Sequence, residues 1–304
     1  MQLERQSLAV ETPEGPLAAY CVRPIGPPVA TALFVHGRTF PSVPDFDLQV
    51  PGAEPTFSFM EHLARKGIHC WCFDHRGFGG SWKPPEGSLF TARVRGEDLL
   101  AVLPTVQRLS PGPLTLVGLS LGCSVVASVM KDRPRAAQRV VLLGPARWKS
   151  FGTLEGRWSS LRSIMKAGKQ KSRYVSADFA GLEKRLYVGE EARVSRAAFE
   201  AFVQRAIDAN TDGPRDRVVA LVSEIVPYAE RPAFKVPVLA VRGSDDDLAT
   251  EADLEAVRRF VPPSLLTLRT FSGRKHDLHL YNEHEDVFEC VADFVLGQQQ
   301  EKKR

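Results

Sequence analysis

Short apolar runs and longer segments of helical periodicity alternate along this chain, and this alternation constrains its fold more than any other feature. The apolar runs end at turn residues and indicate buried strands, and helical segments follow most of them. Strands linked by helices in this way form parallel sheets that are covered on both faces. The expected strands are 31–37, 68–77, 114–120, 139–145, 236–241 and 264–271, and the expected helices are 56–67, 91–109, 121–133, 251–260 and 285–297. We therefore predict the α/β class with a mostly parallel central sheet, and a kink or break at Pro104.

Two parts of the chain depart from this alternation of strands and helices. Residues 4–24 contain two strand-like runs around a Glu-Gly turn, which predicts an antiparallel hairpin at the sheet edge. Residues 146–235 show helical patterns such as "RAAFEAFVQRAI" and no strong strand run. We interpret this second segment as a mostly helical cap, inserted into a core that comprises residues 1–145 and 236–304.

The composition argues against several classes of protein. The chain has 304 residues, of which 43% are hydrophobic and 25% charged, and its net charge of +4 is too small to favour a nucleic-acid partner. No apolar run reaches the roughly 18 residues that span a membrane, and the first residues lack an apolar segment of signal-peptide length. The five cysteines form no C-x-x-C pair, so zinc is not indicated. We expect a cytoplasmic protein with no transmembrane segment and no metal.

The strongest chemical signal is "GLSLG" at 118–122, a G-x-S-x-G motif between an expected strand and an expected helix. In this context the serine occupies a sharp turn that exposes its hydroxyl above the sheet, and the glycines allow close backbone approach. Ser120 is therefore the candidate nucleophile. The amide of Leu121, at the start of the next helix, is a candidate donor to an oxyanion.

Two further motifs accompany Ser120. "FVHGRTF" (34–40) ends a strand with His-Gly, and its loop could add the Arg38 amide to the same oxyanion hole; "DHRGFGGS" (74–81) is a glycine-rich loop after the following strand. With these motifs in this order, the chain resembles the α/β-hydrolase superfamily, in particular its capped esterase, lipase and haloperoxidase-like branches. The resemblance extends over residues 20–297, the cap excepted, and implies the α/β-hydrolase fold with a Ser–acid–His triad. It implies no particular substrate.

The resemblance also implies a position for the acid. In similar proteins the carboxylate comes three residues after a glycine and is followed by one variable and one apolar residue. In "GSDDDLAT" (243–250), Asp246 matches this register and Leu248 is the apolar anchor. Asp245 and Asp247 remain alternatives, with Asp247 expected in solvent and Asp245 bracing the turn. The next residues, "TEAD", predict a capping box that opens a helix.

The family's histidine lies just after the last strand and before the last helix. His276 fits this position best. His279 lies where that pattern often has a packing residue, and His284, which abuts an acidic helix start, is expected to be a surface or cap residue. Both remain alternatives.

These roles describe a serine hydrolase that cleaves an ester or thioester through an acyl-enzyme and needs no metal or organic cofactor. Acyl transfer, cyclisation, C–C bond hydrolysis and cofactor-free oxygen chemistry use the same triad and stay open. A non-catalytic binding protein is a third class, against which the intact triad argues.

Two features bear on the substrate, a small acyl compound. Residues 147–173 carry eight basic residues against one acidic, which is either a solvated lid face or a surface that attracts an anionic partner. Such partners include an acidic substrate, a coenzyme A or carrier-protein thioester, and an anionic membrane. The aromatic residues among these charges, expected to line an acyl pocket or pack the lid, are Trp148, Phe151 and Trp158.

The loop 38–55, long and rich in proline, either shapes the pocket or is an elaborated surface loop. Arg38 is larger and more charged than the residues usual at its position in the resembling family. Its guanidinium could bind a carboxylate on the substrate.

Overall fold

An eight-stranded, mostly parallel sheet forms the centre of the molecule. The computed structural model describes residues 2–84, 92–151, 153–156, 158, 174–209, 217–221 and 234–298. Its strands are β1 (Leu3–Val10), β2 (Leu17–Pro24), β3 (Ala30–Val35), β4 (Ile68–Phe73), β5 (Leu114–Leu119), β6 (Arg139–Leu143), β7 (Tyr174–Asp178), β8 (Arg217–Leu221), β9 (Val238–Gly243) and β10 (Leu266–Phe271). The central sheet has the order β1-β2-β4-β3-β5-β6-β9-β10, while β7 and β8 pair separately.

Strand directions agree with the predicted α/β fold. The hairpin β1–β2 is antiparallel and lies at one edge, and β2 is also antiparallel to β4. The pairs from β4 through β3, β5, β6 and β9 to β10 are all parallel. The predicted α/β-hydrolase fold class and the edge hairpin are confirmed.

Helices cover both faces of this sheet. The described helices are α1 (Ser42–Phe46), α2 (Phe59–Ala64), α3 (Ala92–Leu109), α4 (Leu121–Asp132), α5 (Phe179–Leu186), α6 (Arg196–Asp208), α7 (Glu251–Val257) and α8 (Glu285–Leu296), of which α5 and α6 lie apart from the sheet. Neighbouring residues of a strand face opposite sides, so Leu33 belongs to the apolar cluster that includes α3, α4 and α7, whereas Phe34 belongs to the cluster that includes α2 and α8. Each such fully buried side chain contributes about 1.5–3 kcal/mol to folding. None of the described helices is long and apolar enough to cross a bilayer.

Local signals account for most helix boundaries. The Ser58 hydroxyl accepts from the Glu61 amide and caps α2, which therefore begins later than residue 56. The predicted capping box of α7 is present, with the Thr250 amide and hydroxyl both donating to Asp253. The chain does not break at Pro104, because α3 continues through it with Val102 and Val106 held in the core.

The inserted segment is not purely helical. It contains α5 and α6, but also the antiparallel pair β7–β8, which sequence reasoning missed because each strand has five residues and no marked alternation. The inner face of α6 is buried as expected, and Phe202 makes an edge-on contact with Phe40 of the core at 4.6 Å between ring centres. The limits 146–235 of a cap stay a prediction.

The parallel strands all end at one edge of the sheet. The chain leaves β3 at His36, β5 at Ser120, β6 at Gly144 and β9 at Ser244. Loops at the carboxyl ends of parallel strands converge, so segments that are far apart in sequence meet at this edge. The expected nucleophile, acid and histidine follow β5, β9 and β10.

Candidate active site

Ser120 occupies a strained turn between β5 and α4. Its φ is 53° and its ψ is −114°, a left-handed backbone that non-glycine residues rarely adopt and that costs about 1–3 kcal/mol. The turn requires both flanking glycines. A Cβ on Gly122 would lie 2.1 Å from the Val35 carbonyl oxygen, and one on Gly118 would lie 2.6 Å from the Gly122 carbonyl carbon. The close backbone packing that Gly118 and Gly122 allow therefore holds Ser120 at the edge of the sheet where the strands end.

His276 and Asp246 form a buried pair. His276 Nδ1 lies 2.8 Å from Asp246 Oδ2, and the other carboxylate oxygen accepts from the amides of Leu248 at 2.9 Å and Ala249 at 2.8 Å. Within the described part of the chain, the buried Nε2 of His276 has no hydrogen-bond partner. This nitrogen is therefore available to a group in the adjoining cavity, which Ser120 and His276 both line.

The surroundings of His276 favour its charged form. Burial lowers its pKa, but the hydrogen bond and negative charge of Asp246 outweigh burial, so the pKa is raised from its ordinary value of 6.5. The net result is a more basic imidazole, which is what proton abstraction from a hydroxyl requires.

The competing carboxylates lie elsewhere. Asp245 is exposed and accepts from the Ser244 hydroxyl at 2.6 Å, and Asp247 is also exposed. Leu248, expected as an apolar anchor, is instead 47% exposed and lines the cavity. It faces the cavity because both backbone amides after Asp247 turn towards the Asp246 carboxylate.

The competing histidines are buried away from this pair. His279 packs against Phe202, and burial lowers its pKa to about 4. Of the two alternatives for His284, the surface position is wrong, whereas a cap residue agrees with its place at the N-terminal cap of α8. Its ring is stacked on Phe57, and its two nitrogens are 2.9 Å from the carbonyl oxygens of Tyr281 and Thr56.

Gly144 is a site residue that sequence reasoning missed. It follows β6 with φ of 57°, and a Cβ there would lie 2.8 Å from His276 Cε1 and 3.0 Å from Nδ1. The His276 ring therefore packs directly against the Gly144 backbone, where a side chain would clash with it. The only local signal for this contact is the "GP" pair at 144–145, which predicts a turn after the strand.

The two expected oxyanion donors lie beside Ser120. Leu121 is the first residue of α4, where backbone amides have no partner within the helix, and both Leu121 and Arg38 line the cavity. The loop that carries Arg38 is fixed through the preceding carbonyl. Gly37 O lies 2.8 Å from the donating Nη1 of Arg95 and 2.9 Å from His36 Nδ1.

His36 and Arg95 are supporting groups under this loop. His36 Nε2 accepts from the His75 amide, so Nδ1 carries the proton and donates to Gly37. Burial and the positive charge of Arg95 lower the pKa of His36, which keeps the ring neutral. Sequence reasoning recognised His36 only as part of a motif and missed Arg95, which comes from α3 and is fully buried.

The loop 38–55 forms part of the cavity wall. Its short helix α1 is anchored by Asp74, which accepts from the amide of Ser42 at 2.8 Å and from its hydroxyl at 2.7 Å. The loop contributes Arg38, Thr39, Phe40 and Asp45 to the lining. Of the two interpretations of this loop, the pocket wall agrees with the structure.

The cavity has a volume of about 290 Å³ and a charged lining. Three arginines from different elements contribute to it: Arg38, Arg147 and Arg185. Asp277 also lines it, as does the buried Asp45. Burial and the negative charge of Asp277 raise the pKa of Asp45 well above its ordinary value, so this carboxyl favours its neutral form.

The basic segment of the cap is only partly described. Arg147 lines the cavity, and the Lys149 amide donates to Asp253. The remaining basic residues lie outside the described residues: Arg157, Arg162, Lys166, Lys169, Lys171 and Arg173. Trp148 and Phe151 pack in the core against Phe260 rather than in the cavity, and Trp158 is exposed.

No group of three histidine, cysteine, aspartate or glutamate side chains that could hold a metal ion occurs in the described ranges. What the lining offers is a hydroxyl, a basic imidazole, backbone amides and guanidinium groups. This set of groups can carry out nucleophilic chemistry at a carbonyl.

Comparisons with known proteins agree with this geometry. The model of the serine aminopeptidase family S33 matches residues 54–285. Similar solved structures include the thioesterase domain from the curacin biosynthetic pathway, with TM-score 0.65, 15% identity, and coverage of 96% of this chain and 99% of that chain. Another is the carboxylesterase CesB from Bacillus subtilis, with TM-score 0.64, 17% identity, and coverage of 97% and 92%.

A third is E-2-(acetamidomethylene)succinate hydrolase, with TM-score 0.61, 21% identity, and coverage of 96% and 99%. No match was found among curated proteins. At such low identities the solved structures show only a shared fold. The family model matches most of the chain and therefore shows the family. The chain is therefore an α/β-hydrolase enzyme and belongs to the serine aminopeptidase S33 family.

Proposed function

We propose that this enzyme is a serine hydrolase that cleaves a carboxylic ester or thioester. Ser120 is the nucleophile, His276 the general base and acid, and Asp246 the group that orients His276. The observation that carries the proposal is the buried 2.8 Å contact between His276 Nδ1 and Asp246, with Nε2 left unpaired beside the cavity that Ser120 lines.

The mechanism follows from these positions. His276 Nε2 takes the proton of the Ser120 hydroxyl while the oxygen attacks the substrate carbonyl, and Asp246 stabilises the resulting imidazolium. The amides of Leu121 and Arg38 donate to the oxyanion, and each such donor is worth about 3 kcal/mol in the transition state. His276 then protonates the leaving alcohol or thiol. Water, deprotonated by His276, releases the acid and restores Ser120.

The family's name raises an aminopeptidase as the obvious alternative. Such an enzyme must bind the protonated amino terminus of a peptide, for which carboxylates are the suitable partners. This cavity presents three guanidinium groups against the single carboxylate of Asp277, because Asp45 favours its neutral form. An ammonium group would meet repulsion there, so the charges support an ester or thioester. Acyl groups on coenzyme A or a carrier protein fall within this proposal.

Labelling with a fluorophosphonate probe tests the nucleophile. Wild-type protein is expected to react at Ser120, and Ser120→Ala and His276→Ala to lose the reaction. Ser124→Ala, one turn further along α4, is the matched control and keeps it. Absence of labelling in the wild type, together with no turnover of 4-nitrophenyl acetate, acyl-coenzyme A or an aminoacyl anilide, would refute the proposal. Turnover of the anilide alone would favour the aminopeptidase.

A further inference from the structure

We propose that Arg38, Arg147 and Arg185 form a subsite for an anionic group, so that the substrate carries a carboxylate close to the bond that is cleaved. This inference rests on the proposed function, because it names the substrate class of the same cavity. The first observation that supports it is that the three arginines come from different elements and meet at one cavity. Arg38 follows β3, Arg147 follows β6 and Arg185 belongs to α5, yet all three line the cavity that contains Ser120 and His276.

In the described part of the chain, the three guanidinium groups form no ion pair with a carboxylate. Other arginines of the chain, such as Arg76 and Arg274, pair with aspartates at 2.6 Å. Like charges that converge without a partner repel one another, and a bound anion would relieve that repulsion.

Electrostatics and backbone geometry support the same conclusion. Burial and the charges of Arg147 and Arg185 lower the pKa of Arg38, which indicates that the three groups interact. Arg185 is held over the ring of Phe40 at 5.6 Å and is thereby positioned without an acid. Arg147 has φ of 65°, one of two non-glycine residues with positive φ in the described chain, and the other is Ser120. Strain of this kind is often kept where a side chain serves a ligand.

The acids in the lining do not neutralise this charge. Asp45 favours its neutral form because of burial and its neighbour Asp277, which leaves Asp277 as one carboxylate against three arginines. The cavity volume of about 290 Å³ lies near the lower limit of ligand pockets, so the part of the substrate inside it is small. A carboxylate on such a substrate must lie within a few bonds of the scissile carbonyl.

The carboxylate could belong to the acyl group or to the leaving group, and two ester pairs separate these sources. For the acyl side, monoethyl succinate is compared with ethyl 4-methylpentanoate, in which an isopropyl group replaces the carboxylate. For the leaving group, 4-acetoxybenzoate is compared with 4-isopropylphenyl acetate. A pH-stat measures kcat/KM for each ester. We expect the anionic ester to be preferred at least tenfold in one pair, and less strongly at high salt.

Variants locate the source of the preference. Arg185→Gln and Arg147→Gln are expected to lower the ratio of anionic to neutral kcat/KM about tenfold each, as the loss of a charge-assisted hydrogen bond would. Lys184→Gln is the matched control, since Lys184 precedes Arg185 on the same helix and does not line the cavity. It removes the same charge and should leave the ratio unchanged.

Equal or weaker hydrolysis of the anionic esters in both pairs would overturn the subsite while the hydrolase proposal stands. An equal fall of the ratio in the Lys184 control would also overturn it, since a general field would then explain the preference. If the wild type hydrolyses nothing and Ser120 is not labelled, the proposed function fails. Calorimetric binding of monoethyl succinate and of 4-acetoxybenzoate to Ser120→Ala, with and without Arg185→Gln, still decides the subsite. Binding of neither ester, or binding that Arg185→Gln does not weaken, would overturn it.

Discussion

The cavity has two walls that are built differently. The core wall consists of Ser120, Asp246 and His276, in which the Asp246–His276 pair is buried and the Asp246 carboxylate accepts three hydrogen bonds. The arginine wall consists of Arg38, Arg147 and Arg185, which reach solvent and hold no described carboxylate, although Arg38 is partly buried. The fold fixes the first wall before any substrate arrives, whereas the second is completed by its ligand. Changes to the core wall should therefore cost far more activity than changes to the arginine wall.

The largest effect is expected from Asp246→Asn. An amide at this position cannot stabilise the imidazolium and favours the wrong tautomer of His276, so kcat should fall by about 10⁴. Asp245→Asn and Asp247→Asn are matched controls, because both residues are exposed neighbours in the same turn. They should remain within a few-fold of the wild type in hydrolysis of 4-nitrophenyl acetate. Equal losses in all three variants would contradict the assignment of Asp246.

Gly144→Ala disturbs the core wall without removing any polar group. The new Cβ would meet the His276 ring at 2.8 Å and displace it, and a displacement of about 1 Å can cost 100-fold in kcat. Gly52→Ala is the control, since Gly52 also has positive φ but nothing within 4 Å of its Cβ position. Both variants should lose about 1–2 kcal/mol of stability from backbone strain. If kcat falls equally in both, contact with His276 is not the cause.

Arg95→Met tests the support under the oxyanion loop. It removes the charged donor 2.8 Å from the buried Gly37 carbonyl, while Asp98 keeps its ion pair with Arg76 at 2.6 Å, so we expect a loss of about 2 kcal/mol in unfolding free energy. The kcat should fall about tenfold because the Arg38 amide loses its fixed position, and Arg95→Lys should recover part of it. Arg108→Met, at an exposed position of the same helix, should change neither quantity. Urea unfolding and steady-state kinetics measure both.

The two walls also differ in how far sequence reasoning could predict them. The glycines around Ser120, the register of "GSDDDLAT" and the capping box at Thr250 are signals within a few residues, and the structure brings Asp246 rather than its neighbours to His276. The spacing of residues along the chain was sufficient to predict these features because local backbone geometry decides where each of them lies.

Contacts between distant segments could not be predicted in this way. His284 lies next to acidic residues and was expected to be a surface or cap residue, but its ring is buried against Phe57 from far earlier in the chain. Arg95 and Arg185 occupy ordinary helical positions, and nothing near them in sequence marks one as buried and the other as part of the cavity. Their placement depends on which elements the tertiary fold brings together.

The smallest expected effect connects the two walls through His276. In the proposed mechanism its neutral form accepts the Ser120 proton, so kcat/KM should fall as the pH drops through its raised pKa. The positive charge of Arg185 lowers this pKa and the negative charge of Asp277 raises it. Arg185→Gln should therefore move the acidic limb to higher pH, and Asp277→Asn should move it to lower pH.

Profiles of kcat/KM against pH for a neutral ester at low salt measure these opposite displacements. In 1 M salt, where charges more than about 3 Å apart are screened, both displacements should shrink. Movement of the two limbs in the same direction would mean that the substitutions alter packing around His276 rather than its charge environment. Movement in opposite directions would show that the charge of Arg185 changes the pKa of His276 through its electric field. This would hold even for a neutral substrate, which the arginine wall does not bind.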